Sequence, residues 1–410
     1  MALIVQKYGG TSVGSLDRIK AVAEKVAQVH AHGHQMVVVV SAMAGETNRL
    51  FKLAEQLSDS PYPRETDVLV ATGEQVSAAL LAIRLRGLGY PTVSFLAYQL
   101  KILTDARHGQ ARIKSVECPR LLRALADGNI VIVAGYQGVN DQGDITTLGR
   151  GASDLTAVAL AAVLKAAVCE IYTDVDGVYT ADPNICPKAR RLDRISYDEM
   201  LEMAGLGAKV LQLRSVELAR RYRVPLVVRS SFHNDSEGTW VGEEDRTMED
   251  VLVSGVTLDN NQSKITISGV EDRPGLAARI FGPIADAGIV VDMIIQNASA
   301  DGRADMTFTV ARSDLHRALE LVRMVANEIG ASGLHYEDQV AKVSIIGVGM
   351  RTHAGVAARM FQVLAAESVN IEMIATSEIK ISVVVNTKYG ELAMRALHDS
   401  FLGEASAEAV

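Results

Sequence analysis

In the first half of the chain, short unbroken apolar runs alternate with stretches that are apolar on one side only. Residues 2–5, 36–40, 130–133 and 169–174 read as buried strands, because a strand covered on both faces needs no polar alternation. Between them, Ile19, Val22, Ala23 and Val26 recur at helical spacing. So do Val76, Ala79, Leu80 and Ile83, and then Leu155, Val158, Ala159, Ala162 and Val163. A helix ending near Tyr222 and a strand over 225–228 complete the set. Strands alternating with helices predict an α/β fold with a mostly parallel sheet covered on both faces.

The pattern then changes. Residues 233–250 are polar and acidic with little periodicity, which predicts a linker. Beyond it the chain repeats itself: Gly275-Leu276-Ala277-Ala278-Arg279-Ile280-Phe281 returns as Gly355-Val356-Ala357-Ala358-Arg359-Met360-Phe361, and Asp292-Met293-Ile294 as Glu372-Met373-Ile374. The strands ahead of each copy, 264–269 and 342–347, match as well. Two copies of one strand-helix-strand-strand-helix-strand unit is the economical reading. The predicted division is 1–232, a linker at 233–250, repeats at 251–335 and 336–403, and a tail at 404–410.

Composition narrows the function classes. At 410 residues the chain exceeds what one core usually fills. Its formal net charge is -8, and no basic block is interleaved with aromatics, so nucleic acid is not an expected partner. Three cysteines, Cys118, Cys169 and Cys186, stand at no metal-like spacing and no leader pattern opens the chain, which predicts a reduced, cytoplasmic protein. No apolar run approaches the roughly 20 residues of a membrane span. His30, His32 and His34 surround Gly33 where the first helix should end; there the helix dipole favours histidines, and no metal site is expected.

The candidate chemistry lies at the ends of the predicted strands. After the first strand, Lys7 and the Gly9-Gly10-Thr11-Ser12 stretch read as a phosphate cradle or, equally, as an ordinary tight strand-to-helix turn; as a cradle, the glycines admit an anion close to backbone N–H groups and Lys7 adds a point charge. Ser41-Ala42-Met43-Ala44-Gly45 leaves room after the second strand. Glu74 opens a helix, placed either for a ligand's ammonium group or for the helix dipole. Gly149-Arg150-Gly151-Ala152-Ser153-Asp154 precedes another helix; Arg150 suits a two-point contact with a carboxylate, and Ser153-Asp154 reads equally as a cap. Residues 173–183 form a loop rich in Asp, Gly and hydroxyls, a turn cluster or a nucleotide-holding loop. No Walker-type Gly-x4-Gly-Lys-Ser/Thr is present.

Taken in order, Lys7-Tyr8-Gly9-Gly10-Thr11-Ser12, Ser41-Ala42-Met43, Gly73-Glu74, Gly149-Arg150-Gly151 with Ser153-Asp154, and Thr173-Asp174-Val175-Asp176-Gly177-Val178-Tyr179-Thr180-Ala181-Asp182-Pro183 resemble the bacterial aspartate kinases. The resemblance implies an amino-acid-kinase sandwich followed by two ferredoxin-like ACT units. It implies phosphoryl transfer from ATP, with Mg²⁺, to the side-chain carboxylate of L-aspartate, the first step toward lysine, threonine and methionine. By the same resemblance Lys7 and Asp154 are catalytic, and Ser41, Thr47, Glu74, Arg150, Gly151 and Ser153 hold aspartate. Lys7, Gly9, Gly10, Thr173, Asp174, Tyr179, Asp182 and Lys209 would hold ATP. Asp272, Gly275, Ala277, Asp292 and Gln296 in one unit, and Met350, Val356, Glu372, Ser377 and Glu378 in the other, would receive lysine or threonine as feedback inhibitor. A homo-oligomer through the ACT units is implied, as is a short regulatory subunit from an internal start at Met248. Ala152, Leu155 and Asn184 depart from the family's usual residues. Two alternatives stay open: another amino-acid kinase and, raised by these three residues, a catalytically weak amino-acid sensor.

Overall fold

The computed structural model describes residues 2–208, 210–233, 236–244, 252–298, 302–351, 353 and 355–403. They form two compact units, one of Met1–Val178, Arg191–Ala204 and Lys209–Thr247, the other of Tyr179–Arg190, Gly205–Ala208 and Met248–Val410. Lys209, Met248 and the 404–410 tail lie outside the described residues.

In the first stretch the elements run β1 (Leu3–Tyr8), α1 (Leu16–Ala31), β2 (Gln35–Val40), α2 (Glu46–Leu57), α3 (Pro63–Val70), α4 (Thr72–Gly87), β3 (Thr92–Phe95), β4 (Ile102–Thr104) and β5 (Ile113–Val116). There follow α5 (Pro119–Ala126), β6 (Ile130–Ala134), β7 (Gln137–Val139), β8 (Ile145–Thr147), α6 (Ser153–Leu164), β9 (Val168–Thr173), β10 (Arg194–Ser196), α7 (Tyr197–Gly205), α8 (Leu213–Tyr222), β11 (Leu226–Ser230) and β12 (Thr239–Gly242). An eight-stranded sheet has the order β10-β12-β11-β9-β1-β2-β6-β3, and a smaller sheet the order β5-β4-β7-β8. β1 is flanked by β2 and β9, both parallel to it. Met36 to Val40 of β2 are fully buried, and β-branched valines suit a strand covered on both faces. α1 starts at Ser15, whose hydroxyl accepts from Arg18 N, and stops before Gly33 at φ 85. Its predicted face, Ile19, Val22, Ala23 and Val26, packs with Val38 and Ile132 of the sheet. Each such aliphatic side chain contributes about 1.5–3 kcal/mol on burial. His30 and His32 hydrogen-bond the carbonyls of His34 and Gln28.

Three expectations change here. α4 buries Gly73, Glu74, Ser77, Ala78, Leu81, Ala82 and Leu85, while Val76 and Ile83 of the predicted face are exposed. Only the middle of the helix, Val76 to Ile83, is apolar on most sides, so apolar spacing there does not pick out the buried face. α6 is buried from Ser153 through Ala161, far wider than one stripe, and Val163 is exposed. The predicted linker contains β12, which pairs with β10 and β11 and buries Val241. The stretch Pro63–Gly87 is long and apolar enough to cross a membrane, yet half of it is buried inside the fold and it carries the buried acids Asp67 and Glu74.

The second unit contains β13 (Gly255–Glu271), α9 (Leu276–Asp286), β14 (Val291–Ala298), β15 (Arg303–Ala311), α10 (Leu315–Glu328), β16 (Gly333–Ile346), α11 (Val356–Ala366), β17 (Met373–Thr376), β18 (Lys380–Asn386) and α12 (Gly390–Leu402). One six-stranded sheet has the order β14-β15-β13-β16-β18-β17. The repeats are nested rather than strictly tandem. Residues 255–259 of β13 pair with the end of β16, and Val253 and Val256 pack in the core of the second repeat with Val343, Ile345, Met360 and Leu397. Only the later part of β13 serves the first repeat, through Ile265 and Ile267. Thus the strand that the second repeat lacks after α12 is supplied from before the first.

Tyr179–Arg190, expected with the first 232 residues, packs in this unit: Ala181 and Cys186 join the second repeat's core. Thr180 holds it there. Its hydroxyl lies 2.9 Å from His398 Nε2, and its carbonyl accepts from Val256 N.

Candidate active site

At the end of β1 the chain turns through Gly9 and Gly10. Gly9 N donates to the Tyr172 carbonyl of β9 at 3.1 Å, and Ser41 N donates to Tyr8 O at 3.0 Å, so the loops after three adjacent strands are tied together. A Cβ on Gly10 would stand 3.0 Å from Ala42 O, which is why a side chain is excluded there. Lys7 points into this turn: a Cβ on Gly9 would sit 3.4 Å from Lys7 Nζ.

Lys7 is 8% exposed and its Nζ lies 2.7 Å from Asp154 Oδ1. The contact is an ion pair lacking hydrogen-bond alignment, since Asp154 Oδ1 finds no aligned donor. Asp154 Oδ2 accepts from Gln212 N at 3.3 Å, which holds the carboxylate from the far side. Asp154 belongs to the first turn of α6, whose cap residue is Ala152 and makes no side-chain hydrogen bond. Ser153 therefore does not cap the helix. It packs over Gly135, where a Cβ would approach within 2.9 Å of it.

Glu74 lies on the first turn of α4 and is 3% exposed. Its Oε1 accepts from Ala42 N at 3.1 Å, whereas Oε2 is buried without a partner. Burial pushes this carboxyl up to about 7, against the lesser opposing pull of backbone hydrogen bonds. Arg150 is exposed in a turn whose neighbours Gly149 and Gly151 have φ 96 and 75. Its guanidinium lies 5.5 Å from the centroid of Phe51. Tyr136 joins Glu74 to Arg150 electrostatically: burial raises its hydroxyl first, Glu74 raises it further, and Arg150 lowers it. Ser41 and Thr47 are half-buried after β2 and on α2.

Thr173 is linked to the glycine turn by a residue that periodicity does not single out. Ser231 Oγ donates to Thr173 O at 3.0 Å and accepts from Ser12 Oγ at 2.9 Å. Asp174 accepts from the Thr173 hydroxyl. Tyr179 and Asp182 belong to the other compact unit, and Asp182 Oδ1 accepts from both nitrogens of Asn184. Among the described residues no group of three His, Cys, Asp or Glu side chains could hold a metal ion.

Residues 2–230 match the amino acid kinase family, and residues 265–325 and 343–401 each match an ACT domain. An aspartate kinase of Stutzerimonas stutzeri (strain A1501) is 55% identical over 408 residues, covering 99% of each chain. The chain belongs to the aspartate kinase family. Its fold is similar to that of E. coli aspartokinase III in complex with aspartate and ADP, at 28% identity and a TM-score of 0.81, over 97% of this chain and 99% of that one. The same E. coli enzyme in complex with lysine and aspartate gives a TM-score of 0.75 at 28% identity, over 98% and 99%.

The residues in which this kinase departs from its family's usual motif have structural tasks. Ala152 and Leu155 fill a small core with Leu50, Val70, Tyr136 and Leu148 behind the Arg150 turn, and Asn184 closes a turn on Asp182.

In the two ACT repeats Gly275 and Gly355 cap α9 and α11 with φ 92 and 95, a conformation that favours glycine. Ala277, Ser377 and Glu378 are exposed, Met350 is half-buried and Val356 is buried. Gln296 donates to Asp272 at 3.1 Å. The acids expected to await an effector already have partners. Lys342 of the second repeat is paired with Asp292 of the first, and Lys264 of the first lies 2.7 Å from Glu372 of the second. Burial opposes ionisation of Asp292, but the Lys342 ammonium prevails and holds the carboxyl below its ordinary range.

Lys342 is 2% exposed, while the Asp292 side chain is 46% exposed. Asp292→Ala would strand a buried charge and is expected to cost about 3–5 kcal/mol, whereas Lys342→Met leaves a hydrated carboxylate and should cost far less. Calorimetry of the two full-length variants checks this asymmetry.

Proposed function

We propose that this protein transfers the γ-phosphoryl group of ATP to the side-chain carboxylate of L-aspartate, giving 4-phospho-L-aspartate and ADP. The observation that carries the reading is the buried Lys7–Asp154 pair beside the Gly9-Gly10 turn, with the unpartnered oxygen of Glu74 reached through Ala42. An aspartate carboxylate is ionised at neutral pH, so the attack needs no general base. One carboxylate oxygen forms a bond to Pγ as the bond from Pγ to the bridging oxygen breaks, and ADP leaves. What remains for the protein is to overcome repulsion between two anions and to align them.

Lys7 supplies the positive charge for the moving phosphoryl group, and Asp154 fixes its direction. Gly9, expected to donate its N–H, spends it on the Tyr172 carbonyl, so the backbone N–H groups that follow it in the turn, from Gly10 on, and the Thr173-Asp174 strand end receive the phosphates and nucleotide. Glu74 takes the ammonium group of aspartate and Arg150 its α-carboxylate, with Ser41, Thr47, Gly151 and Ser153 around them. Mg²⁺ enters with ATP as part of the substrate. Initial rates with ATP, Mg²⁺ and aspartate, trapping the acyl phosphate with hydroxylamine, test the reading against glutamate and acetylglutamate. Absence of an aspartate-dependent hydroxamate would overturn it.

The product feeds lysine, threonine and methionine formation in this proposal, and lysine, threonine or both act back through the ACT repeats. Support comes from the two ACT matches and from the lysine complex of the E. coli relative. Because Asp292 and Glu372 are engaged by Lys342 and Lys264, an effector's ammonium must compete with an internal one. Each effector titrated alone and in mixture should lower the rate in a saturable way; a rate indifferent to all three additions would sink the feedback reading. The two opposite edge strands of the sheet, β14 and β17, carry exposed Ile294 and Ile374, and we propose that further copies of the chain pair at these edges.

A further inference from the structure

We propose that Asp67 is a positioning residue for the acceptor, a buried carboxylate that ties the turn carrying Arg150 to the helix carrying Glu74. The inference rests on the assignment of those two side chains to aspartate. Asp67 is 1% exposed on α3, and four donors converge on it. His108 Nδ1 lies at 2.8 Å, Gly109 N at 3.1 Å, Thr147 N at 3.1 Å and Thr147 Oγ1 at 2.5 Å. A carboxylate that accepts this many bonds fixes every segment that supplies them.

Those segments lead directly to the acceptor side chains. Thr147 ends β8, and the chain continues through Leu148 into the Arg150 turn. Leu148 is held as well: Arg214 donates to its carbonyl at 2.6 Å and to the Ala111 carbonyl at 2.9 Å, while Leu148 N donates to Tyr136 O. Ala111 N in turn donates to Thr147 O at 2.8 Å, closing a ring of bonds around the segment. On the other side α3 runs through Ala71 into α4, and Gln137 Nε2 donates to the Ala71 carbonyl at 3.1 Å. Glu74 is the first acid of that helix. One carboxylate thus sets the spacing between the group that takes the ammonium and the group that takes the carboxylate. Tyr136 lies between them in the electrostatic sense: burial raises its hydroxyl first, Glu74 and Asp67 raise it further, and Arg150 lowers it. The phosphoryl side of the site, Lys7 with Asp154, makes no contact with this network through Asp67's own bonds.

Asp67→Asn keeps the volume but turns an N–H₂ group toward N–H and O–H donors, so the network loosens without a cavity. In the full-length kinase it is expected to raise KM for aspartate about tenfold, leaving KM for ATP within about twofold. Thr147→Val removes a single donor and should raise it about threefold. The decisive readout is a double-mutant cycle. Arg150→Ala alone should raise KM for aspartate about a hundredfold, and adding Asp67→Asn to it should change little, because the residue to be positioned is gone.

An aspartate KM within twofold of wild type in Asp67→Asn, or equal rises in both substrate KM values, overturns the proposal. So does full additivity in the cycle. If Asp67→Asn does not fold, Thr147→Val decides in the same way within and outside the Arg150→Ala background. If Arg150→Ala itself leaves KM for aspartate unchanged, the acceptor assignment fails first, and the two failures are distinguished.

Discussion

Replacing Lys7 with methionine is expected to lower kcat for aspartyl phosphate formation by about a thousandfold, on the order of 4 kcal/mol of transition-state stabilisation. The size follows from the setting. Lys7 is a buried point charge at the end of the central strand, and in the turn beside it a Cβ on Gly10 would crowd the Ala42 carbonyl at 3.0 Å. As the phosphoryl group passes between two anions, charge spreads over its oxygens, and a fixed ammonium acts there more strongly than in water. KM for aspartate should change far less, since the proposed acceptor grip lies on Glu74 and Arg150 and not on Lys7.

The substitution also strands Asp154, which is 5% exposed, and an unpaired buried carboxylate costs about 3–5 kcal/mol of stability. Lys7→Met with Asp154→Asn relieves that cost, so the double variant should fold better than the single one and remain as inactive. Hydroxylamine trapping at saturating ATP and aspartate measures the rates. A kcat within tenfold of wild type in a folded Lys7→Met variant would remove Lys7 from the mechanism.

Much of this arrangement was legible because the chemistry sits at strand ends. An apolar run, a lysine and a glycine pair announce a strand that stops at an anion, and Ser153-Asp154 announces a helix start; their meeting in the Lys7–Asp154 pair is what parallel strands enforce. What was not legible depends on distance in sequence. Asp67 shares a short helix with Glu65 and nothing local sets it apart, because its donors come from residues 108, 109 and 147. Residues 255–259 look like a lead-in to the first repeat; only pairing with β16 reveals them as the missing strand of the second. The lysines that neutralise Asp292 and Glu372 each come from the opposite repeat, which no local pattern encodes. α4 misled for a different reason. Its middle, Val76 to Ile83, is apolar on most sides and carries little phase, so spacing could not show that Ala78, Leu81 and Ala82 are the buried ones.

Lowering the pH from about 8 to about 6 is expected to raise KM for aspartate about tenfold through Glu74. In the ligand-free site, burial pushes its carboxyl up to about 7, and Oε2 has no donor to stabilise the ionised form. Aspartate's ammonium group supplies the missing charge, so binding favours the ionised carboxyl. Above pH 7 that form is already present; below it, a proton must be released for each aspartate bound, and apparent affinity falls about tenfold per pH unit. kcat at saturating aspartate should move much less, since the bound ammonium keeps Glu74 ionised. Glu74→Gln should bind aspartate weakly at every pH between 6 and 8, without the slope.

Stability must move the opposite way. Because the folded carboxyl titrates above its ordinary value, the native state holds the proton longer than the unfolded chain, and the resulting stability is complete below about pH 4.5 and lost as pH rises through about 7. At pH 8 Glu74→Gln should therefore be the more stable protein in the absence of substrate, by up to about 3 kcal/mol. Adding aspartate should reverse that order, because wild type gains a bound ligand that the variant scarcely holds. Thermal unfolding of both proteins at pH 5 and pH 8, with and without aspartate, reads all four cases. Equal melting temperatures for wild type and variant at pH 8 without substrate would show that burying this carboxylate carries no penalty, and the expected pH slope of KM would lose its cause.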